Sequence, residues 1–335
     1  MIDENLSQLS DLAFEGAMAG YLVALMCHAA ELAAKRVGVQ RRAISGRAGA
    51  PGVTRALAMA GDGLPPVGGP QTIHADAAET ASEQAGAPST LGRRLGSAAV
   101  AVTAVGFVFH VLALVLRGVA AGRPPWGNMY EFTLMITGAA VAGWLIVLRR
   151  NRGARSMGVF VMTPTAVLVF LAGTVLYTQS APLVPILNSY WLSVHVTAIS
   201  LSSGVLLLSG LASVAYLYRM HIGADKPSRL PSADRLDRIA YRSAIVAFPF
   251  FTFAIVAGAL WAEVAWGTYW SWDPKETVTL VTWISFAGYL HARATAGWRG
   301  KPAAWISVFG LATIIFDLFF INMVVSGLHS YAGLN

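Results

Sequence analysis

Eight runs of mostly apolar residues dominate the chain, near 14–34, 95–117, 130–148, 157–177, 192–217, 243–264, 277–295 and 303–326. Each approaches or exceeds the roughly 20 residues that a helix needs to cross the hydrocarbon core of a bilayer. Inside lipid the backbone must satisfy its own hydrogen bonds, and unalternating runs of this length do so as helices. The expected fold is therefore all-α, a polytopic membrane bundle of about eight transmembrane helices. Composition agrees, since 56% of the residues are hydrophobic and only 12% charged, about half the charged share of a soluble domain.

The basic residues orient this bundle. Of the 24 Lys and Arg, all but Arg117, Arg123 and Lys275 lie in the connections after the first, third, fifth and seventh runs. Such connections face the cytoplasm. Both termini and the even-numbered connections are then expected on the extracytoplasmic side of an inner, plasma or thylakoid membrane. The net charge of +7 follows from this topology, so no nucleic-acid partner is expected. The single cysteine, Cys27, rules out an internal disulfide, a CxxC redox motif and a CxxCH attachment site within the chain. The acidic start, Met1-Ile-Asp-Glu, lacks the basic region of a cleaved signal peptide, which makes the first run a retained span.

Two connections stand out. Residues 37–92 are rich in Gly, Ala and Pro with few aromatics, and are expected to form a disordered linker. In 228–242, Leu236, Ile239 and Ala240 share one helical face against Arg and Asp, which predicts a short helix lying on the inner surface.

The richest extracytoplasmic stretch is Trp266-Gly-Thr-Tyr-Trp270-Ser-Trp272-Asp273-Pro274-Lys275-Glu276. Asp273 as cap, Pro274 at the first helical position and Glu276 three residues on form a helix-start signal. Beside it stand the loop Trp126-Gly-Asn128-Met-Tyr130-Glu131, the loop 178–191, and the tail Gly327-Leu-His329-Ser-Tyr331. Of the seven histidines, His195 begins the fifth run and His329 follows the eighth, both at the depth of the tryptophans. Two facing imidazoles above an indole platform suit haem, with one axial nitrogen from each side. Zinc would want four compact ligands, and no third or fourth His or Cys lies on that side. The same aromatics also suit an interfacial belt, and Asp273 and Glu276 a plain helix cap. His291, in the inner half of the seventh run, is a functional candidate as an intramembrane histidine. Asp317, midway along the eighth, needs a partner inside the bundle.

These residues resemble a known family. Trp266-Gly-x-x-Trp270-x-Trp272-Asp273-Pro-Lys-Glu276 is similar to the tryptophan-rich WWD signature of haem-handling proteins in cytochrome c maturation. Leu236-Asp-x-x-Ala-Tyr241-Arg, Phe248-Pro249, Gly258-Ala-x-Trp261-Ala, Tyr289-Leu-His291-Ala-Arg and Gly327-Leu-His329-Ser-Tyr-Ala resemble its CcsA (ResC) branch, as does the loop Trp126-x-Asn128-Met-Tyr130-Glu131. The likeness covers about 95–335.

The resemblance implies a membrane subunit of the System II cytochrome c synthase. Residues 1–36 would be an N-terminal span, 37–94 a flexible cytoplasmic linker, and 95–335 a haem-handling domain with its WWD segment at 261–276. His195 and His329 would be the axial ligands of a haem b substrate. Trp266, Gly267, Trp270, Trp272 and Asp273 would cradle it, with Trp126, Asn128, Tyr130 and Glu131 nearby. His291 would bind haem transiently as it crosses, with a ligand from a ResB/CcsB-like partner. The chain itself supplies no catalytic nucleophile or base. An apocytochrome c and a thiol-reducing, thioredoxin-like protein complete the implied partners, the complex acting as a haem lyase. A haem-delivery protein of the System I type shares the signature. A secondary transporter with the tryptophans as a belt is the reading from another class, though no inverted repeat is visible.

Overall fold

The computed structural model describes residues 3–48, 90–183, 185–223 and 228–329. Eight long helices carry the eight apolar runs: α1 (Glu4–Ala48), α2 (Thr90–Ala121), α3 (Met129–Arg150), α4 (Gly158–Thr174), α5 (Tyr190–His221), α6 (Ala233–Trp266), α7 (Pro274–Ala294) and α8 (Lys301–Phe316). No strand occurs among the described residues. The last helix continues through a π-turn at Asp317–Ile321 into Asn322–Val324.

Among the described residues all of these helices but α7 are long and apolar enough to cross a membrane, α4 together with the 3-10 turn Arg152–Met157 before it and α8 together with its continuation to Val324. α7 falls short in composition because it carries threonines, His291 and Arg293. It is nonetheless long enough to span the hydrocarbon core. Its 21 residues span about 32 Å at roughly 1.5 Å each.

Contacts sort the helix ends into two groups. At one end, Asp3 N donates to Ala120 O, Arg123 reaches Ala181 O, the Trp261 indole donates to Ile186 O and Leu328 N donates to Asp273. The even-numbered connections thus gather there, with the start of α1 and the tail. At the other end Arg155 approaches Glu31 and Arg293 pairs with Asp237 at 2.7 Å. That contact joins two of the family-like stretches, 236–242 and 289–293, far from the tryptophans.

The helices cross where small residues let backbones approach, as membrane helices do without a hydrophobic drive between them. A Cβ on Gly20 of α1 would sit 2.9 Å from the Gly106 Cα of α2, with Ala13, Ala17, Ala24 and Ala113 buried along the same seam. Gly204 of α5 rests against the Ile136 carbonyl of α3 in the same way.

Two expectations change. The surface helix expected at 228–242 is the first part of α6, one unbroken helix from Ala233 to Trp266. The face formed by Leu236, Ile239 and Ala240 continues through Ala244, Ala247, Phe251 and Ala254, so the segment has one apolar stripe and no reason to turn. Pro249 lies inside this helix without ending it. Also, α1 runs on to Ala48 and α2 begins at Thr90. Most of the expected linker, His74 included, lies outside the described residues, as do Ser330 and Tyr331 of the tail.

Candidate functional site

The tryptophan segment is built by local rules. α6 ends at Trp266, and Gly267 follows in the left-handed conformation, φ 74°, with its N–H on Glu263 O. This is the glycine stop expected of a helix C-terminus. Asp273 then caps α7 with Pro274 at the first position, and Glu276 completes a capping box. The Glu276 carboxylate accepts from Ser271 N at 2.9 Å and Asp273 N at 3.2 Å. Residues 267–273 are therefore tied at both ends. Within them Trp272 holds a positive φ of 60°, unusual for a bulky side chain.

Beneath this loop lies a cavity of about 150 Å³, open at its mouth. Trp126, Trp261, Trp266, Trp270, His195 and His329 line it. Trp261 joins the two histidines. It stacks on His195, with centroids 6.4 Å apart and planes at 11°, and meets His329 edge-on at 6.0 Å. Trp266 also meets His329 edge-on at 5.0 Å.

Each imidazole is oriented through Nδ1. His195 Nδ1 lies 2.8 Å from the Ala254 carbonyl of α6. A carbonyl only accepts, so Nδ1 carries the proton and Nε2 the lone pair. The ring reaches that carbonyl across Gly258, where a Cβ would stand 2.7 Å from its Nδ1 and Cε1. His329 Nδ1 lies 2.8 Å from Asp273 Oδ2, which fixes the same tautomer. Asp273 is 7% exposed. Burial acts to raise its pKa, but hydrogen bonds from His329 and from the Leu328 and Lys275 N–H groups outweigh it and hold the carboxyl below its ordinary value.

Not all expected residues join the cavity. Trp126 and Asn128 line it, and Asn128 also caps α3 by accepting from Glu131 N at 2.9 Å. Tyr130 and Glu131 are fully buried behind this loop and are not among the lining residues. Glu131 accepts from Arg117 Nε at 2.8 Å, Arg123 Nη1 at 2.7 Å and Gly127 N at 2.7 Å, and so clasps the loop that carries Trp126. Trp272 is 69% exposed and packs edge-on against Trp270 at 5.7 Å. His291 is exposed near the other end of α7, about 27 Å from Asp273 along the helix.

Sequence reasoning pointed to Lys275 as a rare outward cation and to Asp317 as a buried carboxylate, but could not place either in the site. Lys275 lines the cavity with its ammonium on the Asn322 amide oxygen and 5.4 Å from the Phe132 ring centroid. Asp317, whose neighbour was unknown from sequence, lines the same cavity and begins the π-turn. Such turns are common at functional sites. Gly258 and Trp261 stand at i and i+3, a spacing that could have marked one helix face. His110, also a candidate by chemistry, is a buried structural residue between the Tyr21 hydroxyl at 3.1 Å and Leu134 O at 2.8 Å. Among the described residues no group of three or more His, Cys, Asp or Glu could cage a metal ion.

A pair of tautomer-locked imidazoles in a tryptophan-lined cavity fits a flat, apolar, two-faced ligand better than a bare cation. The comparisons point to cytochrome c assembly. The family model described as cytochrome C assembly protein matches residues 126–329. The cytochrome c biogenesis protein CcsA of Gloeothece citriformis is 34% identical over 291 residues, covering 71% of this chain and 87% of that protein. CcsA of Guillardia theta is 34% identical over 248 residues, covering 67% and 82%. Among solved structures, the cytochrome c haem lyase CcmF superposes with a TM-score of 0.61 at 15% identity, over 94% of this chain and 46% of that one, a likeness of fold alone. With the matched region running from the Trp126 loop to His329, this multi-pass membrane protein of cytochrome c biogenesis belongs to the cytochrome c assembly protein family.

Proposed function

We propose that the chain is the membrane subunit of a System II cytochrome c synthase, presenting haem on the extracytoplasmic face for attachment to apocytochrome c. The observation that carries this reading is the convergence of His195 and His329 on one tryptophan-lined cavity, each oriented by a hydrogen bond through Nδ1. The substrate is haem b, held between these histidines with its vinyl groups toward the mouth. An apocytochrome CxxCH segment docks, its histidine takes one axial position, and each cysteine S–H adds across a vinyl C=C. Sulfur bonds to the carbon next to the ring, hydrogen goes to the terminal carbon, and nothing leaves. The chain contributes position and a dry, aromatic enclosure. A thioredoxin-like protein keeps the thiols reduced. A ResB-like partner covers the face that carries His291 and supplies the second ligand for haem in transit.

The test is the visible spectrum of the protein purified with its partner. A Soret band is expected, weakened or shifted in His195→Gly and in His329→Gly. A colourless preparation that still supports cytochrome c assembly would overturn the haem site. Lys275 is the cation available in this cavity for a haem propionate. A hydrogen bond to a charged group contributes about 1.5–3 kcal/mol. Lys275→Met is therefore expected to retain haem roughly ten- to a hundredfold more weakly, with Lys275→Arg between it and wild type, read as haem per protein after washing.

A further inference from the structure

The two candidate axial histidines have unlike backing. His195 leans on a neutral backbone carbonyl, Ala254 O, at 2.8 Å. His329 leans on a carboxylate, Asp273 Oδ2, at 2.8 Å. The same carboxylate accepts from Leu328 N at 2.6 Å through Oδ1 and from Lys275 N at 3.2 Å through Oδ2. The tail thus wraps around Asp273. A Cβ on Gly327 would come 2.5 Å from Oδ1, so only a residue without a side chain lets the tail close over the carboxylate. The sequence position of Asp273 is that of an ordinary helix cap, and half a capping box needs no third or fourth partner. The additional bonds to residues 328 and 329, 55 positions away, are not explained by capping.

We infer that Asp273 is the positioning residue of the haem site: its carboxylate delivers His329 to the iron and makes it the more electron-donating of the two ligands. This rests on the haem-site reading above. A carboxylate behind a ligating imidazole fixes ring orientation and raises ligand basicity, and losing such a partner typically costs ten- to a hundredfold in metal affinity or activity. Greater donation favours the ferric iron, which lowers the reduction potential. The tail and the tryptophan segment become one device, in which docking the tail completes the ligand set.

Asp273→Asn and Asp273→Ala, each prepared with bound haem, test this. Asp273→Asn keeps an acceptor oxygen without the charge. It is expected to keep a six-coordinate, low-spin spectrum with a midpoint potential more positive than wild type. Asp273→Ala removes the acceptor as well. It is expected to shift toward a five-coordinate, high-spin spectrum, to lose haem ten- to a hundredfold more readily, and to regain the low-spin spectrum with added imidazole. If both Asp273 variants keep the wild-type potential and spectrum while His329→Gly loses them, Asp273 is a cap and the inference fails alone. If His329→Gly itself leaves the spectrum unchanged, the haem-site reading fails with it.

Discussion

Replacing Glu131 with alanine is expected to destabilise the protein by about 3–5 kcal/mol, the usual cost of removing one partner of a buried ion pair. Glu131 is 0% exposed, and Arg117 only 1%. Arg117 reaches Glu131 through Nε and the Thr178 carbonyl through Nη2, lies 3.8 Å from Asp11, and stands 4.7 Å from the Tyr130 ring centroid. Without the carboxylate, a cation with no route to water is left short of its counter-charge. The pair itself need not be strongly stabilising, because desolvating two charges offsets most of their attraction. The prediction concerns breaking it. Arg117→Met combined with Glu131→Leu is accordingly expected to recover much of the loss, with Arg123 turning toward water on its long stem. The readout is thermal unfolding in detergent. Haem content should fall too, since the clasp holds the loop bearing Trp126. A loss in Glu131→Ala below about 1 kcal/mol would remove the clasp from this account.

Gly258→Ala should act on haem and not on folding. The added Cβ would lie 2.7 Å from the His195 ring, closer than real Cβ contacts come. The His195 ring also stacks on Trp261 of the same helix. It must leave the Ala254 carbonyl, and with it the orientation that this hydrogen bond sets. Alanine meanwhile suits a helix interior better than glycine by about 1 kcal/mol, so α6 itself should be no less stable. Haem retention is expected to fall at least tenfold, the factor that about 1.4 kcal/mol represents. The melting temperature of the haem-free protein should stay within a few degrees of wild type. The spectrum should approach that of His195→Gly although the histidine remains. A variant with full haem content would mean that His195 does not need this seat.

Much of the molecule was legible without coordinates. A bilayer leaves the backbone few choices, so the apolar runs declare their helices almost singly. Capping is likewise local, and Asp273, Pro274 and Glu276 do in the structure what their order suggests. Hydropathy was less secure where a helix lines a cavity: α7 is too polar to pass as a span by composition, yet is long enough for one and packs between α6 and α8. It also mistook the start of α6 for a surface helix, since a charged face at the end of a long helix looks the same in sequence as a helix lying in the interface.

By itself the sequence determined the all-helical class, the pairing of like connections at like ends, the tryptophan segment with its cap, and His195 and His329 as the histidines at its depth. Only the tertiary structure decided which side chains meet. It turned Tyr130 and Glu131 away from the cavity and into a clasp, set Lys275 and Asp317 into its wall, and put Asp273 behind His329. The physical reason lies in what a bilayer does and does not enforce. Burial in lipid acts on each helix separately and leaves its mark along the chain. Helix against helix, the surfaces are all apolar, and register falls to close approaches such as Gly20 on Gly106 and Gly258 beneath His195. A glycine in the sequence does not say what will press against it.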